Sequence, residues 1–319
     1  MVADLTPRYL KFTPLGETFV AQVDGLDFSQ PIPEAVRDEL LAGLQKYGVL
    51  VARATNITDD TMIALGRQWG ELDNITAHKK AGRKMRLPQD EIFDVGNIDP
   101  DNNIITAADP LRISSARGNA LWHADGAYNP RRSGISILRA VELPPKGTGG
   151  ETEFLDSRTA YEDLPAETKE KIRGLVSLNT LLWNRKQANP DMDMFKDIDC
   201  TKVPLSRHKL AQIHEPTGRG NLYIGSYNHH IEGLPVEEGR KLIDDLLKHV
   251  TQDKYKFAVH WENPGDVTFW DNTAVLHRAT IGEYNGKYRR DMRRISTFDT
   301  SSWAWGENDP ANSTQIGLQ

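Results

Sequence analysis

The sequence predicts a mainly β fold with flanking helices, of the sandwich or barrel class. Strand-like segments outnumber helical ones, they are short and bounded by Gly, Pro and Asn turn signals, and the last third of the chain is almost entirely of this kind. A parallel doubly wound sheet would instead alternate strands with helices throughout.

Residues 9–12 and 19–23 read as strands separated by the turn Pro14-Leu15-Gly16. From Pro33 onward, Val36, Leu40, Leu41, Leu44 and Tyr47 recur at helical spacing, and Gly48 ends the pattern ahead of an apolar strand at 49–52. Thr58 caps a second helix over 59–69, which Gly70 closes. Residues 71–118 are polar and carry little periodicity beyond 91–95, so they predict a long variable loop acting as a lid. A strand follows at 134–143, turn chemistry at 144–150, and helices at 157–164 and 166–175. Strands at 178–183, 209–214 and 221–226 precede a helix at 236–250 with an apolar stripe of Leu242, Ile243, Leu246 and Leu247. Further strands are expected at 256–261, 266–270, 274–277 and 293–298. The tail, 300–319, has little apolar content and should pack loosely. No repeat, low-complexity tract or linker divides the chain, so 1–319 is expected to form one domain.

Composition narrows the function. The 39 Lys+Arg against 45 Asp+Glu give a formal net charge of −6, and the basic residues are interleaved with acidic ones, which argues against a nucleic-acid binder. With 38% hydrophobic residues, a mean hydropathy of −0.55 and no long apolar run, no membrane span is expected. The N-terminal residues lack the features of a secretory signal, and the chain is expected to be cytoplasmic and homo-oligomeric. The single cysteine, Cys200, excludes a disulfide framework and any multi-thiolate metal site. Neighbouring Asp197 and Asp199 disfavour a thiolate there.

The densest chemical signal is Trp122-His123-Ala124-Asp125, an imidazole and a carboxylate two residues apart. On a strand both point to one face and can reach one metal ion. His277, far downstream, is the candidate third ligand. Two histidines and a carboxylate leave open positions on a non-haem iron, and the same set would also suit zinc with a water nucleophile. Of the nine histidines, His208, His249 and His260 read as structural or exposed, whereas the His229-His230 pair is less easily dismissed. Arg289, Arg290, Arg293 and Arg294 lie within six residues. An isolated cluster of this kind is a solvated strand face, but Arg290 and Arg294 share a face and could each grip a carboxylate beside a metal.

The order His-x-Asp, Gly-Gly-x-Thr (149–152), Trp270-Asp271-Asn272, His277 and Arg290-Asp291-Met292-Arg293-Arg294 resembles the Fe(II)/2-oxoglutarate-dependent dioxygenases typified by taurine and 2,4-dichlorophenoxyacetate dioxygenases, the TauD/TfdA family. The resemblance runs from the first strands to about Phe298, and residues 149–161 are nearest to the dichlorophenoxyacetate branch. It implies a double-stranded β-helix (jelly roll, cupin-like). It also implies Fe(II) held by His123, Asp125 and His277, 2-oxoglutarate as co-substrate held by Arg290 and Thr152, and O₂ as oxidant. Arg294 matches the position that holds the substrate's anionic group, and Asn119 a position near the substrate. A loop before Arg290 that is longer than usual leaves Arg289 as the alternative co-substrate residue. His78, with Lys79 and Lys80, is a further candidate for an anionic substrate.

The implied reaction oxidises a C–H bond of a small carboxylate, aryloxyalkanoate-like, with release of succinate and CO₂. The alternatives are the same chemistry on an amino acid or another natural acid, and a non-catalytic anion-binding jelly roll. Halogenation is disfavoured because Asp125 occupies the position that chloride would need.

Overall fold

A computed structural model describes residues 7–76, 84–105 and 110–311. Along the chain the strands are β1 (Lys11–Pro14), β2 (Ala21–Asp24), β3 (Val49–Ala52), β4 (Phe93–Asp94), β5 (Ser133–Glu142), β6 (Thr152–Asp156), β7 (Val176–Asn179) and β8 (Ser206–Lys209). They continue as β9 (Ala211–His214), β10 (Arg219–Leu222), β11 (Asn228–Ile231), β12 (Lys256–Val259), β13 (Val267–Asp271), β14 (Val275–Ala279) and β15 (Asp291–Phe298). The main sheet has seven strands in the order β1-β2-β3-β13-β5-β15-β4. Smaller sheets, β12-β6-β14, β11-β7-β8 and β10-β9, complete the β framework. Of the strand pairs among the described residues, only β2 with β3 is parallel, as short connections and turns demand.

The two-residue period of a strand sorts the side chains. Leu50, Ile137, Phe269 and Ile295 face outward from the main sheet onto the helices Glu34–Tyr47 and Asp59–Trp69. Their neighbours Val49, Val51, Leu138, Trp270 and Met292 face inward, where they meet Phe154 and Val259 of the β12-β6-β14 sheet and Val275 of β14. A third cluster surrounds the helix Val236–Val250 through Leu242, Ile243 and Leu246, as its stripe predicts. Burying one such Leu or Phe fully contributes roughly 1.5–3 kcal/mol, so these clusters hold the sheets in register. On that same inner face of β15 lie Arg294 and Ser296, aligned with Leu138 and Ser136 of β5.

Several expectations need correction. The strand expected at 178–183 ends at Asn179, because Thr180 accepts a hydrogen bond from the Leu182 amide and starts the helix Leu181–Ala188. The strand expected at 221–226 stops at Leu222, and Tyr223 and Ile224 turn into the third cluster. Residues 71–118 are not all loop. They contain β4 and the helix Pro110–Asn119, which packs on Leu181–Ala188 and has too weak an apolar period to be read in the sequence. The residues just after Thr300 are not loose: the Arg132 amide donates to Ala304 O at 3.0 Å, and Glu307 N donates to Arg207 O at 2.9 Å. His78 lies outside the described residues. Among the described residues no helix is long and apolar enough to cross a membrane.

Candidate active site

His123 and His277 come together because their backbones do. His123 N donates to His277 O at 3.0 Å and His277 N to His123 O at 2.8 Å, an isolated antiparallel bridge at the inner edge of β14. The expected strand for His123 and Asp125 is reduced to this bridge, and the chain turns immediately afterwards at Asp125. The convergence survives because Asp125 N donates to Asn272 Oδ1 at 3.0 Å. Asn272 is itself fixed by Trp270 Nε1, which donates to its Oδ1 at 3.0 Å, and by its own Nδ2, which donates to Gly134 O and Ser136 Oγ at 2.9 Å each.

His123, Asp125 and His277 are all buried, and one ligand atom from each lies within 4.8 Å of the others. Among the described residues this is the one cluster of three or more His, Cys, Asp or Glu able to hold a metal ion. Asp125 Oδ1 is 3.9 Å from His123 Nε2, and Oδ2 is 3.7 Å from His277 Nε2. The His123 Nδ1 is paired with Leu121 O at 2.7 Å, which aims Nε2 at the cluster. Burial lowers both imidazoles, and His123 pushes His277 further down, so both are neutral ligands rather than cations. Burial by itself would raise Asp125, but the Arg294 guanidinium beside it, with the Ser136 hydrogen bond, outweighs this and keeps the carboxyl below its ordinary range. Two neutral imidazoles and one carboxylate, converging in a buried cluster, fit a divalent first-row metal.

Ser136 and Asn272, unmarked in the sequence reading except for Asn272's place in the Trp-Asp-Asn motif, orient this centre. Ser136 Oγ donates to Asp125 Oδ2 at 2.9 Å and pairs with Ser296 Oγ at 2.8 Å. A serine at an inward position of an otherwise apolar strand was the available signal. Tyr227 packs edge-on against His123 at 5.6 Å, and Tyr128 packs against Tyr227 at 4.9 Å.

Arg290 precedes β15 and is 6% exposed, with no carboxylate in ion-pair range among the described residues. Its Nη2 donates to Gly150 O at 3.0 Å, its backbone N to Asn97 Oδ1 at 2.7 Å, and its Nε has no partner. Burial pushes this guanidinium below its ordinary value, with Tyr284 and Glu151 opposing. A buried cation without a counter-ion is costly and attracts an anion. Gly150, at φ +94°, permits the approach, since a Cβ there would lie 3.1 Å from Arg290 Nε. Arg289 points elsewhere: its Nε donates to Glu142 at 3.0 Å, and its two Nη donate to Asn102 O and Oδ1.

Thr152 on β6 pairs with Ala279, two residues beyond His277, and its buried hydroxyl accepts from Trp261 Nε1 at 3.3 Å. Arg294 Nη1 donates to Asp125 Oδ1 at 2.7 Å. Asn119 ends the helix Pro110–Asn119 and lines a cavity of about 440 Å³ that also reaches Asn97, Thr280, Tyr284 and Arg290. The remaining described histidines stand apart from the cluster. His208 pairs with Asn129 O and His249 with Ala160 O, while the His229 and His230 rings contact each other. Burial raises the Cys200 thiol, consistent with an unreactive residue.

Comparison with known proteins points to a family of dioxygenases. The Taurine catabolism dioxygenase TauD, TfdA family matches residues 11–296. The alpha-ketoglutarate-dependent 2,4-dichlorophenoxyacetate dioxygenase of Cupriavidus pinatubonensis is 33% identical over 286 residues, covering 90% of this chain and 96% of that protein. The (S)-phenoxypropionate/alpha-ketoglutarate-dioxygenase of Sphingobium herbicidovorans is 28% identical over 308 residues, 95% of this chain and 96% of its own. Among solved structures, AAD-2 in complex with Mn(II) and N-oxalylglycine superposes with a TM-score of 0.79 at 29% identity, covering 92% of this chain and 98% of that one. These neighbours carry the jelly-roll architecture expected from the sequence. The chain belongs to the TauD, TfdA family of dioxygenases.

Proposed function

We propose that this chain is an Fe(II)- and 2-oxoglutarate-dependent dioxygenase that oxidises a C–H bond of a small carboxylate of the aryloxyalkanoate class. The observation that carries this reading is the pairing of a buried His-Asp-His cluster with a buried, counter-ion-free Arg290 at the wall of a neighbouring cavity. A zinc hydrolase or a simple anion binder has use for one of these features but not both.

His123, Asp125 and His277 would hold the metal. Bound there, Fe(II) supplies the position at which O₂ and 2-oxoglutarate are converted to succinate and CO₂ while the substrate C–H is oxidised. Arg290 takes the distal carboxylate of 2-oxoglutarate as a fork, and the Thr152 hydroxyl, already oriented by Trp261, donates the second bond. Arg289 is spent on Glu142 and Asn102 and has no such role. Arg294 commits one Nη to Asp125, which neutralises the ligand carboxylate, while its buried Nε has no partner among the described residues and would take an oxygen of the substrate's anionic group.

In this reading the described parts of the 71–118 region, 71–76, 84–105 and 110–118, belong to the lid. Asn97 holds Arg290's backbone, and Arg86 binds Asp94 and Asp291, so lid and co-substrate wall are one hydrogen-bonded unit. Asn119 lies in the substrate wall. An aryloxyacetate oxidised at the carbon beside its carboxylate becomes a hemiacetal, which collapses to a phenol and glyoxylate.

The test is an Fe(II)-dependent assay of succinate with phenoxyacetate, phenoxypropionate and amino acids. Succinate and phenol formed in equal amounts support the proposal. Succinate formed with an amino acid alone overturns the substrate class, and no Fe(II)-dependent succinate with any acid overturns the function.

A further inference from the structure

Building on the dioxygenase reading, we propose that Tyr284 is a positioning residue for the co-substrate: its ring holds the Arg290 guanidinium in place while leaving the fork open for the distal carboxylate of 2-oxoglutarate. The guanidinium carbon of Arg290 lies 5.7 Å from the centre of the Tyr284 ring, within range of a cation–π contact. Arg290 is buried, has no carboxylate in ion-pair range among the described residues, and gives one hydrogen bond from Nη2 to Gly150 O. A carboxylate partner would also stabilise a buried cation, but it would occupy the N–H groups and cancel the charge that an incoming diacid must meet. The face of an aromatic ring stabilises the cation and takes up no N–H group.

Two loops place the ring. Tyr284 lies in the connection between β14 and β15, is partly buried, and lines the 440 Å³ cavity together with Arg290. Its backbone N donates to Thr148 O at 3.2 Å, and its O accepts from Lys287 N at 3.0 Å and Tyr288 N at 2.9 Å. At the start of the same connection, Thr280 N donates to Glu151 O at 3.0 Å and the Thr280 hydroxyl to Glu151 Oε2 at 2.7 Å. Between these ties the two backbones touch, since a Cβ on Gly149, at φ +89°, would lie 2.6 Å from Gly282 Cα. A Cβ on the next residue, Gly150, would lie 3.1 Å from Arg290 Nε and 3.2 Å from Tyr284 Cε1, so glycine, guanidinium and ring meet at one point.

The second arginine of the site is held differently. Arg294 also faces a ring, that of Phe93 at 5.3 Å, but one of its Nη atoms is committed to Asp125. Arg290 keeps its charge free for an anion and relies on Tyr284 and a backbone carbonyl for its position. A long side chain fixed in this way before the ligand arrives loses less rotamer freedom on binding, which strengthens the grip on the distal carboxylate.

Calorimetry on Mn(II)-loaded protein tests this with two probes, 2-oxoglutarate and 2-oxopentanoate, the same 2-oxo acid chain ending in a methyl group. Tyr284→Leu should weaken binding of 2-oxoglutarate by about 5–30-fold, the range of a desolvated cation–π contact, and leave binding of 2-oxopentanoate and of Mn(II) unchanged. Tyr284→Phe, which keeps the ring and drops the hydroxyl, should stay within about threefold of the native protein. Undiminished affinity for 2-oxoglutarate in Tyr284→Leu, an equal loss for 2-oxopentanoate or Mn(II), or a loss in Tyr284→Phe as large as that in Tyr284→Leu overturns the inference and leaves the dioxygenase reading standing. Failure of the native protein to take up 2-oxoglutarate overturns that reading itself.

Discussion

Arg294, partly buried, and the buried metal-ligand candidate Asp125 form an ion pair, with Nη1 to Oδ1 at 2.7 Å. The arginine reaches from the inner face of β15 across the pocket to a carboxylate that a tight turn has placed there. Removing one member of a buried pair leaves the other charge uncompensated, at a cost of about 3 kcal/mol or more. Arg294→Gln should therefore lower the melting temperature of the metal-free protein. Saturating Mn(II) should recover most of the loss, because the ion replaces the missing positive charge. Equal destabilisation with and without Mn(II), read in thermal melts, would contradict this.

Ser136 acts on the same carboxylate through its other oxygen, Oδ2, at 2.9 Å. Partners of this kind typically change metal affinity by about 10–100-fold. Ser136→Ala should weaken Mn(II) binding by about tenfold while circular dichroism and melting behaviour stay near native. The measurement is a metal titration.

The two adjacent arginines separate cleanly. Arg290→Gln should raise the KM for 2-oxoglutarate by about 100-fold, the loss of a charge-assisted fork. Arg289→Gln should change it less than about threefold, because that side chain serves Glu142 and Asn102 on a partly exposed surface. Steady-state kinetics with 2-oxoglutarate varied decide between them, and the reverse order would reassign the role.

Acid stability follows from Asp291. Burial would raise this carboxyl, but hydrogen bonds from Arg86, at 2.8 Å to each oxygen, and from Arg293 outweigh it and hold it at about 2. The folded value is below the unfolded one of about 3.9, so its contribution of about 2 kcal/mol is fully present above that pH and is lost as pH falls toward 2. Asp291→Asn should be clearly less stable than the native protein at pH 6. The gap should narrow between pH 5 and about 3 in urea titrations, and a constant gap would contradict the assignment.

The sequence revealed the parts of the site whose chemistry is carried by residue type and spacing. His123, Asp125 and His277 were legible as candidates because His-x-Asp, weak on its own, occurs in order with Gly-Gly-x-Thr, Trp-Asp-Asn and the arginine-rich last strand. The convergence itself was inferred from strand periodicity, yet His123 sits on a single bridge and Asp125 on a turn, held there by Asn272 and Ser136. Those supports are contacts between positions more than a hundred residues apart, or across a tight turn, and no local pattern encodes them. The sequence favoured Arg290 for the co-substrate but left Arg289 open, because adjacent residues differ only in which way the strand entrance turns. The helix Pro110–Asn119 was hidden for a related reason: its stability comes from packing on Leu181–Ala188, not from its own periodicity.

The most direct test of the whole account is the visible spectrum of the protein with Fe(II) and 2-oxoglutarate under anaerobic conditions. The account predicts a weak charge-transfer band in the native protein that is lost in His277→Ala and shifted to much higher 2-oxoglutarate concentrations in Arg290→Gln. A native protein that binds Fe(II) yet gives no band with 2-oxoglutarate would contradict it.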